Sequence, residues 1–166
     1  MNKELYFLRS SEQKIVTDMS KHAHPLDTPN LSIYYDFYGL TPKDLGLYAL
    51  VDNQIAGAIW TRRLNSDHNA KGFIDENTPV MSVAIIPKFK SKGIGSFMME
   101  QFLQEAGELY EQISIDISSK PKSIKFYEKF GFEKSEDSDT FVMVKKLEKK
   151  EVVRPTDGYD PTRWMD

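Results

Sequence analysis

One run in the middle of this chain limits its possible folds more than any other feature. Residues 80–86 form an almost wholly apolar strand pattern that stops at Pro87, as expected for a strand buried inside a sheet. A lysine-rich turn at 88–95, with Gly93 and Gly95, leads from this strand into an amphipathic helical pattern. Backbone N–H groups and the helix dipole meet at such a turn, so the run predicts an anion-binding site. The same glycines also fit a purely structural turn flanked by solvated lysines.

Strand and helix patterns alternate along the rest of the chain, which predicts a mixed α/β fold. The predicted strands are 5–8, 47–51, 55–61, 113–117 and 140–147, with a hairpin connection at 52–54. The predicted helices run from Ser10 or Ser11 to near His22, over 31–38 with Gly39 closing it, over 94–106, and over 121–130. Residues 65–77 read as a loop with a short extension at 72–74. Residues 1–147 are expected to form one domain, and the charged, proline-containing residues 148–166 an appendage.

Composition excludes several classes of protein. The chain has no cysteine, so disulfides, thiolate metal sites and cysteine nucleophiles are excluded, and a reducing compartment, the cytoplasm, is expected. The three histidines form no spaced set with carboxylates, so we expect no metal. The net charge of -3 argues against a nucleic-acid-binding face. No apolar run approaches the roughly 20 residues that span a bilayer, so we expect a soluble protein with no membrane partner.

Two motifs resemble the GNAT acetyltransferases. In that family a strand ending in Val/Ile-x-Pro precedes an aromatic-Arg-x-x-Gly-x-Gly turn and a helix, and here Ile85-Ile86-Pro87 precedes the turn 89–96. Lys90 replaces the usual Arg or Gln, which keeps the charge but loses the planar guanidinium group. Residues 123–132, SIKFYEKFGF, resemble the second family motif, Ala-x-x-Leu/Phe-Tyr-Glu-Lys-Leu-Gly-Phe, in the expected order and separation. The resemblance is specific over 57–147 and leaves the appendage unmatched.

The resemblance implies a GNAT fold, a twisted mixed sheet whose central strands splay apart to admit acetyl-CoA, with helices on both faces. It also implies direct transfer of an acetyl group from acetyl-CoA to a primary amine, of a small molecule or a peptide, within a ternary complex. The implied contacts to pantetheine and thioester are backbone groups of Val83, Ala84 and Ile85. The residues implied around the pyrophosphate are Lys90, Ser91, Lys92, Gly93, Ile94, Gly95 and Ser96. Lys120 or Pro121 stands where the family often has a cofactor-binding Asn.

The resemblance assigns Tyr127 to the cofactor sulfur and to catalysis, as the group that protonates the departing thiolate. The alternative is a packed tyrosine whose hydroxyl satisfies a buried partner. Val80 stands where relatives carry a glutamate base, and the nearby carboxylates of Asp75, Glu76 and Asp116 fit solvated loop or edge positions better than a catalytic one.

The acceptor side is less constrained by sequence. Tyr34, Tyr35 and Tyr38 fall where the family's variable acceptor-binding helix lies, and they suit a substrate pocket and ordinary packing equally well; Glu76 is the fourth candidate for substrate binding. The alternative function is a non-catalytic acyl-CoA-binding or regulatory domain. The chain is expected to be a monomer or a homodimer, with residues 152–164 docked on the domain or on a second subunit.

Overall fold

A computed structural model describes residues 1–36, 38–39, 44–135 and 141–154 of the 166-residue chain. These residues form a seven-stranded sheet of order β1-β2-β3-β4-β5-β7-β6. The strands are β1 (Lys3–Phe7), β2 (Leu45–Val51), β3 (Gln54–Arg62), β4 (Val80–Ile85), β5 (Gln112–Asp116), β6 (Glu133–Lys134) and β7 (Val142–Lys146). The α-helices are α1 (Gln13–Ala23), α2 (Ile94–Gly107) and α3 (Ile124–Lys129). Short 3-10 turns lie at Ser10–Glu12, Leu31–Tyr34, Ser66–His68, Pro87–Phe89 and Pro121–Ser123.

Helices cover both faces of the sheet. On one face, Met98 and Phe102 of α2 pack with Met81 of β4 in a core that also takes in α3. On the other face, Val16 of α1 packs with Ala84 of β4 in a second core. Alternate residues of a strand point to opposite faces, so a strand buried on both sides needs apolar residues at nearly every position. This arrangement explains the apolar run at 80–86.

The hairpin between β2 and β3 turns on Asp52 and Asn53, whose φ angles are 49° and 67°. A two-residue hairpin turn of this kind requires positive φ, which Asp and Asn tolerate better than most residues. In β3, a Cβ on Gly57 would lie 2.5 Å from the carbonyl oxygen of Ala84, so only glycine allows β3 and β4 to approach this closely. The predicted hairpin is confirmed, with a turn one residue shorter than expected.

The two central strands, β4 and β5, separate after a single paired position. They are the sheet's only parallel neighbours in the described ranges, and they pair only at Val80 and Ser114. The Ser114 N–H donates to the carbonyl of Pro79 at 3.0 Å. Toward their carboxyl ends the strands diverge and leave a gap inside the sheet, as the resemblance implied.

Several predicted boundaries are wrong. The helix expected at 31–38 is only the 3-10 turn Leu31–Tyr34, because side chains of β3 bind the carbonyls that a longer helix would use. The Trp60 indole donates to Tyr34 O at 2.7 Å, and the Arg62 guanidinium donates to Ile33 O at 3.2 Å and also to Asp36 O. Residue 37 of this predicted helix lies outside the described residues.

The other corrections are smaller. Ser10–Glu12 forms a 3-10 turn, so α1 begins only at Gln13, and the predicted helix 121–130 divides into a 3-10 turn and α3. The extension at 72–74 forms no strand. The two-residue edge strand β6 is polar and exposed, so it gave no hydrophobic signal. Residue 140 of the predicted last strand lies outside the described residues. No helix in the described ranges is both long and apolar enough to cross a bilayer.

Residues 148–154 of the predicted appendage lie along α2. The Val153 N–H donates to the side chain of Gln104 at 2.8 Å, and the Arg154 guanidinium bonds both carboxylate oxygens of Glu105 at 2.9 and 2.8 Å. The guanidinium also lies over the Phe7 ring of β1, 5.5 Å from its centroid. The remaining residues, 155–166, with Tyr159 and Trp164, lie outside the described part of the chain.

We expect Arg154→Ala to lower the free energy of unfolding by about 1–2 kcal/mol, because it removes a charge-assisted donor from a buried carboxylate. The Glu105 side chain is only 6% exposed. The matched control is Lys150→Ala, since Lys150 pairs with Glu148 where both side chains are more than two-thirds exposed. Urea denaturation should show a loss for the first variant and almost none for the second. Equal effects would contradict a stabilising role for the Arg154 contact.

Candidate functional site

The glycine turn after β4 leaves the start of α2 open. Pro87–Phe89 forms a 3-10 turn, after which Ser91 and Gly93 take left-handed conformations with φ of 63° and 76°. Gly93 precedes the first residue of α2, and no side chain caps the helix. A Cβ on Gly93 would have no atom within 4 Å, so the space around it is open. The first N–H groups of α2 are therefore available to an anion.

A cavity of about 420 Å³ joins this turn to the gap between β4 and β5. Nine of the residues implied as cofactor contacts line it: Val83, Ile85, Lys90, Ser91, Gly93, Ile94, Gly95, Ser96 and Tyr127. Two others do not. The side chain of Ala84 packs in the core on the α1 face, and Lys92 is exposed on the turn. The implied contact of Ala84 is through its backbone, so its side-chain position leaves that prediction open.

Tyr127 presents an unpaired hydroxyl to this cavity. Its ring is 6% exposed and packs edge-on against Phe126 and Phe132, with centroids 5.1 and 5.4 Å away. Burial raises the pKa of the Tyr127 hydroxyl well above its usual value, so the group stays protonated at neutral pH. Among the described residues the hydroxyl has no hydrogen-bond partner. Whether Tyr127 acts in catalysis or only packs in the core stays a prediction.

His24 lines the same cavity and was missed by sequence reasoning. It follows α1 in an extended conformation and stacks on Tyr34, with ring centroids 3.9 Å apart. Its Nε2 lies 2.8 Å from Ser82 Oγ on β4. Burial lowers the pKa of His24 from 6.5 to about 4, against an opposing effect of the Asp116 charge. The imidazole is therefore neutral at neutral pH. Sequence reasoning could not find this contact, because His24 and Ser82 are 58 residues apart in the chain.

The four residues predicted for substrate binding do not form one site. Tyr34 is buried beneath His24, and burial raises its pKa to about 12. Tyr38 is a core residue whose hydroxyl donates to Leu8 O at 3.2 Å. Tyr35 packs at the edge of the α1-face core, and Glu76 lies on an exposed loop where its carbonyl accepts from Arg63. None of the four lines the cavity, and Tyr34 contacts one residue that does, His24.

Asp116 and Lys120 place opposite charges at the His24 end of the cavity. Asp116 ends β5, and its carboxylate accepts from the Ser118 N–H and Oγ, both at 3.0 Å. The Lys120 Nζ donates to His22 O at 3.0 Å. Asp75, another candidate carboxylate, does not line the cavity, and its side chain accepts hydrogen bonds from the Thr78 hydroxyl and the Asn77 N–H within its own loop. Nowhere in the described ranges do three or more His, Asp or Glu side chains group as a metal site would require.

Comparison with known proteins decides the family. The family described as an acetyltransferase (GNAT) domain matches residues 38–143. The chain belongs to the GNAT acetyltransferases. Its seven-stranded sheet, flanked by helices and opened between β4 and β5, is the GNAT fold. No curated protein matches the sequence.

Solved structures share this GNAT fold at low sequence identity. The phosphinothricin acetyltransferase of Sinorhizobium meliloti, in complex with AcCoA, is 17% identical with a TM-score of 0.64, and the match covers 97% of each chain. The yncA protein of Salmonella typhimurium, with its cofactor acetyl-CoA, is 19% identical with a TM-score of 0.62, over 95% of this chain and 99% of its own. The ribosomal-protein-S18-alanine N-acetyltransferase of Escherichia coli is 12% identical with a TM-score of 0.61, over 90% and 97%.

The neutral state of His24 makes the stability of this GNAT domain depend on pH. Between pH 6.5 and about 4 the unfolded chain protonates His24 and the folded chain does not, so the free energy of unfolding should fall as the pH falls through this window. His24→Gln should lose that part of the decrease. His22→Gln is the control, because His22 is outside the cavity lining. Denaturant unfolding at several pH values measures the slopes, and identical slopes for wild type and His24→Gln would contradict the assignment.

Proposed function

We propose that this GNAT protein is an N-acetyltransferase that moves an acetyl group from acetyl-CoA directly to a primary amine. The observation that carries the proposal is the gap between β4 and β5, which holds an unpaired tyrosine hydroxyl and a neutral imidazole and opens onto the glycine turn. Two structures of the same fold, each solved with acetyl-CoA, support this donor. The absence of cysteine supports a reducing compartment such as the cytoplasm.

The residues of the turn fit the donor's pyrophosphate. Its charge is met by the first N–H groups of α2 and by the Lys90 side chain, and the open space at Gly93 allows close approach to the backbone. Backbone groups of residues 83–85 lie on the edge of β4 that β5 leaves unpaired. N–H donors on that edge hold the pantetheine arm and polarise the thioester carbonyl.

Two protons move during the transfer, one from the acceptor amine and one to the departing thiolate. An amine with an ordinary pKa near 10.4 is an ammonium ion at neutral pH and must lose a proton before it attacks. Val80 supplies no carboxylate, and the neutral ring of His24 relays this proton toward solvent, because a pKa of about 4 makes it too weak a base to hold the proton. Tyr127, which remains protonated, donates to the departing thiolate. The transfer needs no covalent intermediate on the protein.

The acceptor end of the cavity carries one carboxylate, Asp116, and one cation, Lys120. Asp116 lines the cavity beside His24 and supplies a carboxylate to attract an ammonium group. The acceptor is a small molecule or a peptide, and the fold is shared with an N-acetyltransferase that acts on an alanine of a ribosomal protein. Binding between the splayed strands brings donor and acceptor together in one ternary complex.

Two lysines of the turn give a matched test of donor binding. Lys90 lines the cavity and Lys92 does not. Lys90→Ala should weaken acetyl-CoA binding about threefold to tenfold at low ionic strength and less at high salt, because its contribution is charge attraction. Lys92→Ala should change the affinity little. Calorimetric titration measures both, and equal losses, or a loss independent of salt, would argue against a phosphate contact by Lys90.

Tyr127→Phe tests catalysis. Turnover should fall about 10²-fold, since the change removes a proton donor from the transition state. Acetyl-CoA affinity and thermal stability should stay near wild type, because the hydroxyl makes no hydrogen bond within the described chain. Single-turnover thiol release over a panel of amines is the measurement, so that slow product release does not hide the defect.

The control for this variant is Tyr110→Phe. The Tyr110 hydroxyl lies 3.1 Å from Thr61 Oγ, away from the cavity. Its loss should cost stability, about 1 kcal/mol, and leave turnover unchanged. A full single-turnover rate in Tyr127→Phe would remove the acid assignment. Binding of acetyl-CoA by the wild type with no turnover of any amine would instead identify a non-catalytic acyl-CoA-binding domain.

A further inference from the structure

Lys120 crosses the rim of the cavity. It lies on the connection between β5 and α3, on the β5 side of the gap, and its Nζ donates to the carbonyl of His22 at 3.0 Å. His22 belongs to the last turn of α1, the helix that packs against β4 on the other side of the gap. The side chain therefore carries a primary amine across the opening between the splayed strands.

We propose that Lys120 is a self-acetylation site, at which the protein transfers an acetyl group from its own bound acetyl-CoA to the Lys120 Nζ. The proposal rests on the proposed function, because it requires acetyl-CoA in the cavity. Lys120 and Tyr127 line the same space, and so does Val83 of β4. A primary amine tethered there is presented to the thioester at a far higher effective concentration than a free amine in solution.

The surroundings of Lys120 favour its nucleophilic form. Loss of surrounding water, and then the positive charge of Lys90, lowers the pKa of the Lys120 ammonium, so more of it is neutral at a given pH. The other titratable groups at this end are Asp116, a carboxylate, and His24, a neutral imidazole. Neither adds a positive charge beside the Lys120 amine.

The transfer step balances without another reactant. The Nζ lone pair forms a bond to the thioester carbonyl carbon, the C–S bond breaks, and its electron pair leaves with the sulfur of CoA. The proton released from Nζ passes through His24 or Tyr127 to the thiolate. The products are an acetamide on Lys120 and CoA with a free thiol. The modification removes one positive charge from the cavity rim, at the end where Asp116 supplies a negative one.

Neighbouring lysines provide internal controls. Lys122 lies only two residues further along the chain and is exposed like Lys120, but it does not line the cavity. Lys90 lines the cavity but belongs to the glycine turn, at the end expected to hold phosphate. Acetylation directed by the bound donor should therefore select Lys120 over both, whereas random surface acetylation should modify the exposed Lys120 and Lys122 at similar rates.

The experiment incubates the full-length protein with acetyl-CoA and follows the intact mass, with peptide mapping of each lysine. We expect one acetyl group per chain on Lys120, at a rate that saturates with acetyl-CoA and exceeds that of Lys122 by about tenfold or more. Lys120→Arg should abolish the fast phase and Lys122→Arg should keep it. Arginine keeps the positive charge and can still donate to His22 O, and thermal unfolding verifies that the variant is folded.

Acetyl phosphate serves as a second acetyl donor that lacks the pantetheine arm. Selectivity for Lys120 should disappear with this reagent; if it persists, the intrinsic reactivity of Lys120 explains the result and the proposal fails. If calorimetry shows acetyl-CoA binding but Lys120 reacts no faster than Lys122, self-acetylation is overturned and the proposed function stands. If acetyl-CoA does not bind, both proposals are overturned.

Discussion

The separation of β4 from β5 is the constraint on which the rest of this structure depends. The two strands meet only at Val80 and Ser114, whereas β4 is paired with β3, and β5 with β7, along most of their lengths. The sheet is thus two well-paired halves joined at one position. An open strand edge inside a protein exposes unpaired N–H and C=O groups, which need partners. In a GNAT protein that edge becomes a binding surface, and the apolar walls around it come from α2 and α3 packed beneath the sheet.

The parts of the fold that sequence predicted are those set by local chemistry. The apolar run before Pro87, the Asp52-Asn53 turn and the glycine turn each carry their own signal, because the residue types required there are few. The prediction of a helix over 31–38 was wrong for the opposite reason. The conformation of this segment depends on Trp60 and Arg62, which bind its carbonyls from a strand far along the chain. No local pattern records such contacts, and helical propensity could not outweigh them.

The same distinction applies to the candidate site. The turn residues and Tyr127 lie in contiguous motifs, and the structure brings them to one cavity. His24 could not be found in this way, because it enters from the end of α1 and meets Ser82, 58 residues along the chain, only after folding. Sequence reasoning looked for a carboxylate at Val80, which instead packs with Tyr34 and Leu64 in a small core, and then at Asp75, Glu76 and Asp116. It considered no residue from the end of α1, because no motif connects that position to the cavity.

The contact of Arg154 with Phe7 and Glu105 has a consequence for how the chain is made. It joins the first strand to Arg154, the last of the described residues, so β1 and residues 148–154 lie side by side. Contacts between residues far apart in sequence form late and slow the folding of a domain. On the ribosome, β1 and α2 emerge before Arg154 does, so the Glu105 carboxylate meets its charged partner only after both of these elements have been made. This contact therefore forms only after the strand and the helix that it joins have left the ribosome.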